Sequence, residues 1–291
     1  MGTRGGLHWR AAAPGLAWLL GPPFGWFLLF FAVPMAVVWA YSFGTNVGIA
    51  DIEISGTFAN YARALEPLYL RILGKSLAFA ALTTLVCLAV GFPVALAISF
   101  AGPRVKLVLL AAIMLPFWTN LLIRTYALMA LLRDEGLVNQ GLLWAFGWAG
   151  FQPLPMMNSN FAVLVGLVYV HLPFTVLPLY AALDRLDRSL MEASLDLGAG
   201  HLATIRNIVL PLAGAGIASA ILLTFIPVLG SYLAPDLLGG PDSQMIANVI
   251  ERQFKRANDW PFGAALAFLL VYLTLFGFVL QSALGRREPA E

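Results

Sequence analysis

The sequence predicts an all-α, polytopic membrane protein with six transmembrane helices. Of the 291 residues, 60% are hydrophobic and 11% are charged, whereas a typical soluble domain has about 25% charged residues. Six long apolar stretches follow one another along the chain, and none alternates in polarity as a transmembrane β-strand does. The net charge of +2 is too small to indicate a nucleic-acid partner. The expected surroundings are therefore membrane lipid.

Each apolar stretch is long enough to cross a bilayer core, which takes about 20 residues in a helix. The predicted helices lie at about residues 16–41, 76–100, 107–132, 161–183, 208–233 and 262–284. Arg124 is the only charged residue within these ranges. The first stretch exceeds the apolar core of a signal peptide, which has about 7–15 residues, so we interpret it as a retained helix.

An even number of spans places both chain termini on one side of the membrane. The connections on that side carry nine Lys and Arg residues, those on the other side carry seven, and Arg124 completes the total of 17. Because positive residues favour the cytoplasmic side, we expect both termini to be cytoplasmic. The long connections 42–75, 133–160 and 235–261 are then expected outside.

The polar segment 187–206, between the fourth and fifth predicted helices, has the clearest functional pattern. It contains Glu192-Ala193-Ser194, then three residues and Gly198, and nine further residues lead to Ile208-Val209-Leu210-Pro211. Helical spacing of its apolar and charged residues predicts a short amphipathic helix that ends at a left-handed Gly198. Pro211 is expected in the first turn of helix five. On shape alone, the segment is either a solvated connection or a docking surface for another protein.

The spacing resembles the EAA motif of permease subunits in binding-protein-dependent ABC importers, with Ser194 where the motif has alanine. The resemblance implies that residues 187–206, here called the coupling segment, hold a coupling helix that sits in a cleft of an ATPase subunit. The residues that it assigns to this contact are Glu192, Ala193, Ser194, Asp196, Gly198, Ala199, His201, Leu210 and Pro211.

Three further stretches, Leu115–Asn139, Gly166–Asp187 and Pro235–Phe268, are similar to the spermidine/putrescine-type permeases, above all to the first permease subunit of that type. This resemblance implies the type I ABC importer permease fold in a bacterial inner membrane. It also implies three kinds of partner, namely a second permease subunit, two copies of an ATP-binding subunit and an extracytoplasmic substrate-binding protein.

Two short patterns imitate nucleotide sites without meeting their requirements. Gly74-Lys75-Ser76 ends like a phosphate-binding loop, but Tyr69 occupies the position of its first glycine. Gly198–Ala203 fits a relaxed dinucleotide pattern, but no strand precedes it. One cysteine and three scattered histidines do not form a metal-binding pattern. We therefore expect no enzyme and no bound cofactor in this chain, with ATP and Mg²⁺ held by the partner ATPase.

Five residues near the predicted outer ends of helices three and five are candidates for the substrate pathway: Trp118, Arg124, Tyr126, Tyr232 and Asp236. A polyamine is a flexible polycation, which carboxylates and nearby aromatic faces hold best. Asp236 and Tyr232 are therefore expected to line an outer gate, although capping of the loop would also explain them. Arg124 either extends to the membrane surface or faces the bundle and pairs with an acid.

Other functions remain open alternatives. The transported solute is expected to be a polyamine, or else another small cationic or zwitterionic compound, because a pathway-facing Arg124 would suit a carboxylate. An ion-coupled secondary transporter would need buried acids or histidines and inverted repeats, and the sequence offers only His171 and no repeat. A membrane-embedded enzyme would need converging Asp, His or Ser residues within the spans, and none converges in the sequence pattern.

Overall fold

The structure is a computed structural model that describes residues 9–48 and 51–285, and side chains over 18–48 and 51–279. Arg4, Arg286 and Arg287, which contribute to the orientation count, lie outside the described residues, as do both termini. The described chain is mostly helical, which confirms the predicted fold class. A small β-hairpin is an addition that the sequence analysis did not predict.

The helices are, in chain order, α1 (Trp9–Phe27), α2 (Val33–Tyr41), α3 (Ala59–Ala64), α4 (Pro67–Phe100), α5 (Pro103–Trp118), α6 (Leu121–Leu132), α7 (Leu137–Phe146), α8 (Asn160–Leu183), α9 (Arg188–Asp196), α10 (His201–Thr204), α11 (Leu210–Leu212), α12 (Gly214–Leu229), α13 (Leu233–Leu238), α14 (Ile246–Lys255) and α15 (Trp260–Gly285). The π-helical segments Leu28–Ala32 and Ile205–Val209 join α1 to α2 and α10 to α11. The antiparallel strands are β1 (Thr45–Gly48) and β2 (Asp51–Glu53), with Thr45 opposite Glu53.

Among the described residues, four helical stretches are long and apolar enough to cross a membrane. They are Trp18–Tyr41, Pro67–Phe100, Asn160–Leu183 and Trp260–Val279. Two bent pairs also qualify when each pair is counted as one span: Pro103–Trp118 with Leu121–Ala149, and His201–Leu212 with Gly214–Leu229. The predicted number of six is therefore reached by counting two broken spans.

The third predicted helix, 107–132, is broken rather than continuous. α5 ends at Trp118, α6 begins at Leu121, and the two stretches meet at 97°. Thr119 has an extended backbone, with φ −80° and ψ 151°, and Asn120 caps α6 by accepting the N–H of Leu122 at 2.8 Å. Because the apolar composition continues through the break, hydropathy alone did not reveal it.

The fifth predicted helix, 208–233, is also corrected. Its first stretch begins at His201 and bends by 71° at Ala213, and α12 ends at Leu229. Pro211 therefore lies near the end of that first stretch and not in its first turn. The π-helical segment directly before α11 fits this position, because proline has no N–H for the regular helical ladder.

The second helix starts at Pro67 rather than near residue 76. The predicted helix began only after Lys75, because charged residues are rare within membrane spans. In the structure, Arg71 and Lys75 continue the helix, and Pro67 occupies its first position, where proline is favoured. Short helices also form within the connections predicted as loops, among them α7, α13 and α14.

The chain separates into two compact units, and the predicted single domain over 1–291 stays a prediction. The first unit comprises Met1–Leu65 and Gln253–Glu291. Within it, the indole N–H of Trp39 donates to the Tyr272 hydroxyl at 2.7 Å, which ties α2 to α15. Arg63 forms an ion pair with Asp259 at 2.8 Å, so α3 is tied to the residues before α15.

The second unit, Glu66–Arg252, is built around α4, α8 and α12. Their contact faces carry small residues, so the backbones approach closely. A Cβ on Gly91 would lie 3.3 Å from the side chains of Thr175 and Val176, and a Cβ on Gly216 would collide with that of Ala182. The buried hydroxyls of Thr175 and Thr224 are hydrogen bonded at 2.6 Å between α8 and α12. This three-helix core carries the coupling segment at one end.

Candidate coupling surface and pathway residues

The coupling segment forms the predicted short helix, α9, and the glycine stop is confirmed. Asp187 caps the helix by accepting the N–H of Ser189 at 3.0 Å, and this backbone hydrogen bond holds the pKa of the Asp187 carboxyl below its usual range. At the other end, Gly198 has φ +86°. The N–H of Ala199 donates to the carbonyl of Ser194 at 3.1 Å, which closes the last turn as helix C-terminal motifs do.

Most of the residues assigned to ATPase contact are exposed, and two of them, Glu192 and His201, also line a cavity between α9 and the end of α4. Those exposed are Glu192, Ala193, Asp196, Gly198, His201, Leu210 and Pro211, and those half-buried are Ser194 and Ala199. Two leucines missing from the predicted set, Leu197 and Leu202, are 89% and 80% exposed. The segment thus exposes both apolar and acidic residues, a mixed composition that is compatible with a protein docking site. The amphipathic pattern of the segment could have identified both leucines.

A cavity of about 420 Å³ lies between α9, the α10–α11 stretch and the end of α4. Its lining is mostly apolar and includes Leu96, Phe100, Met191, Leu195 and Val209. The coupling helix is therefore not packed tightly over its whole inner face. Sequence analysis gave no sign of this cavity, because the residues that line it come from three separate stretches.

The five predicted pathway residues do not converge on one site. Trp118 is 80% exposed at the end of α5, and Tyr126 is also exposed. Tyr232 lines a cavity of about 220 Å³ together with Thr125 and His171. This cavity lies between the start of α6, the middle of α8 and the end of α12.

Asp236 lines a different cavity, of about 430 Å³, and its side chain is exposed. Asn158, Gln244 and Arg252 lie in the same lining, and Arg252 donates to the amide oxygen of Gln244 at 2.8 Å. Tyr232 and Asp236 are thus separated into two cavities, although the sequence placed them at one gate. A carboxylate and a guanidinium share the more polar of these cavities.

Arg124 is buried, with 8% of its surface exposed, so it does not extend to the membrane surface. One terminal nitrogen, Nη2, lies 3.5 Å from the carbonyl of Thr119, and the guanidinium carbon is 6.0 Å from the centre of the Tyr169 ring. Nε and Nη1 are buried without a hydrogen-bond partner in the described part of the chain. No carboxylate within 18–48 or 51–279 forms an ion pair with Arg124. The expected acidic partner is therefore not found among these residues.

The described residues form a helical membrane bundle with a short exposed helix, α9, between its fourth and fifth spans. One solved structure with a similar fold is that of a bacterial ABC transporter involved in the import of the acidic polysaccharide alginate. One of its chains superimposes on this chain with a TM-score of 0.73 at 18% sequence identity. The superposition covers 97% of this chain and 99% of that one. At this identity the likeness concerns the fold, and it confirms the predicted permease fold.

Residues 88–288 match the family described as "Binding-protein-dependent transport system inner membrane component", and the chain belongs to this family. It is therefore a transport permease subunit of the membrane and not an enzyme.

Several permease proteins of known bacteria are similar in sequence to this chain over most of its length. The spermidine/putrescine transport system permease protein PotB of Escherichia coli K12 is 41% identical over 246 residues, which cover 84% of this chain and 89% of that protein. PotB of Haemophilus influenzae is 37% identical over 266 residues, or 89% and 91% of the two chains. The inner membrane ABC transporter permease protein YdcU of E. coli K12 is 29% identical over 98% of this chain and 94% of that one.

Proposed function

We propose that this chain is the polyamine-translocating permease subunit of an ATP-driven importer, and that it forms the pathway together with a second permease subunit. The observation that carries the proposal is the identity of 41% to a spermidine/putrescine permease over most of both chains. Two copies of an ATP-binding subunit supply the energy and hold ATP and Mg²⁺. An extracytoplasmic binding protein delivers the solute, and both termini of the chain are cytoplasmic.

The ATPase subunit docks on the coupling segment. Leu197 and Leu202 offer exposed apolar side chains to its cleft, and the same segment carries the exposed residues Glu192 and Asp196. Burying two leucines of this exposure contributes about 1.5–3 kcal/mol each. Gly198, with its positive φ, holds the turn between α9 and α10, so the surface keeps its shape when the ATPase moves.

Asp236 contributes a carboxylate to the entry of the pathway. It is exposed to a cavity that also presents the amide side chains of Asn158 and Gln244, and carbonyl oxygens of such amides accept hydrogen bonds from ammonium groups. The guanidinium of Arg252 in the same lining favours a second candidate, a zwitterionic solute whose carboxylate pairs with that arginine.

Uptake by the complete complex tests the proposal. The permease pair, the ATPase and the binding protein are reconstituted in proteoliposomes, and uptake of labelled putrescine is measured with and without ATP. We expect ATP-dependent uptake that falls several-fold in Asp236→Asn, and no change in Asp242→Asn, which alters an exposed aspartate near the same cavity. Uptake that needs no ATPase would contradict the importer. Uptake of a zwitterionic amino acid, with no uptake of putrescine, would show that the transported solute is a zwitterion and not a polyamine.

A further inference from the structure

The coupling helix α9 stands over a largely apolar cavity, and polar contacts at two points fix it to the core. The cavity of about 420 Å³ separates Met191 and Leu195 of α9 from Leu96 and Phe100 of α4. Tightly packed apolar contacts transmit displacement directly, but a void of this size leaves room for α9 to shift. Met191 still packs against the core, and the polar contacts around the cavity add directional links from α9 to particular helices.

The first contact joins α9 to the end of α4. Nη2 of Arg188 donates to the carbonyl of Ser99 at 2.8 Å, and its guanidinium carbon lies 5.3 Å from the centre of the Phe100 ring. Ser99 and Phe100 are the last two residues of α4. Carbonyls in the last turn of a helix have no partner within it, and a cation is favoured at this end of the helix dipole. Arg188 thus binds α9 to the C-terminus of the longest helix in the second unit.

The second contact joins α9 to α10. The hydroxyl oxygens of Ser194 and Thr204 lie 3.0 Å apart. The Thr204 hydroxyl also lies 3.3 Å from the carbonyl of Gly200, so a hydrogen bond from Ser194 to Thr204 would let both hydroxyls donate. Thr204 is buried at the end of α10, where the π-helical segment leading to α11 and α12 begins. An alanine, the residue that the resembled motif has at this position, cannot make this hydrogen bond.

We propose that Arg188 and Ser194 are positioning residues that convey the displacement of the coupling helix to α4 and to the α10–α12 stretch. The inference rests on the proposed docking of the ATPase at the coupling segment. Movement of α9 then pulls on the end of α4 through Arg188 and on the start of the bent fifth span through Ser194. Removing either contact reduces the solute moved for each ATP hydrolysed, and loss of the second contact is read from the buried Thr204, which is not among the residues assigned to the ATPase contact.

The ratio of putrescine uptake to ATP hydrolysis in the reconstituted complete complex tests this linkage. We expect Ser194→Ala and Thr204→Val each to lower the ratio roughly fivefold, the effect of losing one hydrogen bond of typical strength. The double variant should be no worse than either single variant, because both remove the same contact. Thr204→Ser keeps the hydroxyl and should keep the ratio.

Arg188 is tested with a charged and an uncharged variant. Arg188→Met should lower the ratio while ATP hydrolysis continues, and Arg188→Lys, which keeps a donor and the charge, should restore part of it. Co-purification with the ATPase shows that each variant still assembles. A wild-type ratio in Ser194→Ala and Arg188→Met overturns the linkage, and so does a fall in ratio that tracks loss of assembly. Absence of ATP-driven uptake in the unaltered complex would instead overturn the proposed function.

Discussion

The two breaks in the membrane spans of the second unit are held in different ways. At the α5–α6 break, polar side chains fix the backbone, because Thr119 donates its hydroxyl to the Pro116 carbonyl at 2.7 Å and Asn120 caps α6. At the α11–α12 break, no side chain among the described residues caps α12. There the backbone N–H of Ala213 donates to Val209 at 2.9 Å, and Gly216 packs against Ala182 of α8.

The two breaks therefore differ in whether neighbouring residues or a distant helix holds the bend. The first bend is encoded locally, within Pro116 to Leu122, and stands next to the buried Arg124. The second bend lies where α12 packs closely on α8, and its first stretch continues directly into the coupling segment through α10. When a break has no side-chain hydrogen bonds to hold it, its angle can change without losing them. We therefore expect the α11–α12 break to change its angle more easily than the α5–α6 break.

Arg124→Met has the largest expected effect, because it removes a buried guanidinium that forms no ion pair within the described part of the chain. A buried ion keeps an effective desolvation penalty of roughly several kcal/mol in a protein, so we expect a higher free energy of unfolding when a well-packed methionine replaces Arg124. Thermal unfolding in detergent measures it. Arg124→Lys keeps the charge and should bring no gain, and Arg71→Met should be neutral, since Arg71 is exposed. A less stable Arg124→Met would show that the guanidinium stabilises the break.

Gly216→Ala tests the packing of the second break. The added Cβ collides with Ala182, and overpacking of this kind typically costs about 1–3 kcal/mol. Gly214→Ala makes the same chemical change two residues earlier, where a Cβ has nothing within 4 Å, and should be neutral or slightly stabilising. Thermal unfolding of the two variants side by side checks the difference. Equal stability of the pair would mean that α8 does not hold the second break.

Asn120→Ala has the smallest expected effect on stability. Loss of a helix cap costs about 1 kcal/mol, and the loss should be confined to α6. The Leu122 amide donates a hydrogen bond to the Asn120 side chain, so its hydrogen exchange should become faster in Asn120→Ala. Asn120→Asp keeps the cap and serves as the control. Unchanged exchange in Asn120→Ala would refute the local origin of the first bend.

Sequence reasoning succeeded where the cause is local. The apolar stretches predicted the spans, and the glycine pattern predicted a helix that ends at Gly198, whose φ is +86°. It missed features that depend on distant contacts, such as the bend at Ala213, which relies on α8. The break at Thr119 was missed for another reason, because threonine and asparagine stand in a run whose hydropathy stays high.

The candidate site was predictable to a similar degree. The spacing around Glu192 marked the coupling segment, but nothing in the sequence joined Arg188 to Ser99 or Ser194 to Thr204. Tyr232 and Asp236 were assigned to one gate because both were expected near the outer end of helix five and because a carboxylate and an aromatic ring suit a polyamine. In the structure they lie one helical turn apart, since the N–H of Asp236 donates to the Tyr232 carbonyl at 3.0 Å, and they line two different cavities.

Putrescine uptake by the complete complex carrying Leu197→Asp tests most directly whether a partner ATPase drives this permease through its coupling segment. Leu197 is 89% exposed, so the substitution spares the fold of the permease while placing a charge on the docking surface. We predict that the two permease subunits still assemble and that ATP-driven uptake is lost. Uptake at the unaltered rate would contradict the account.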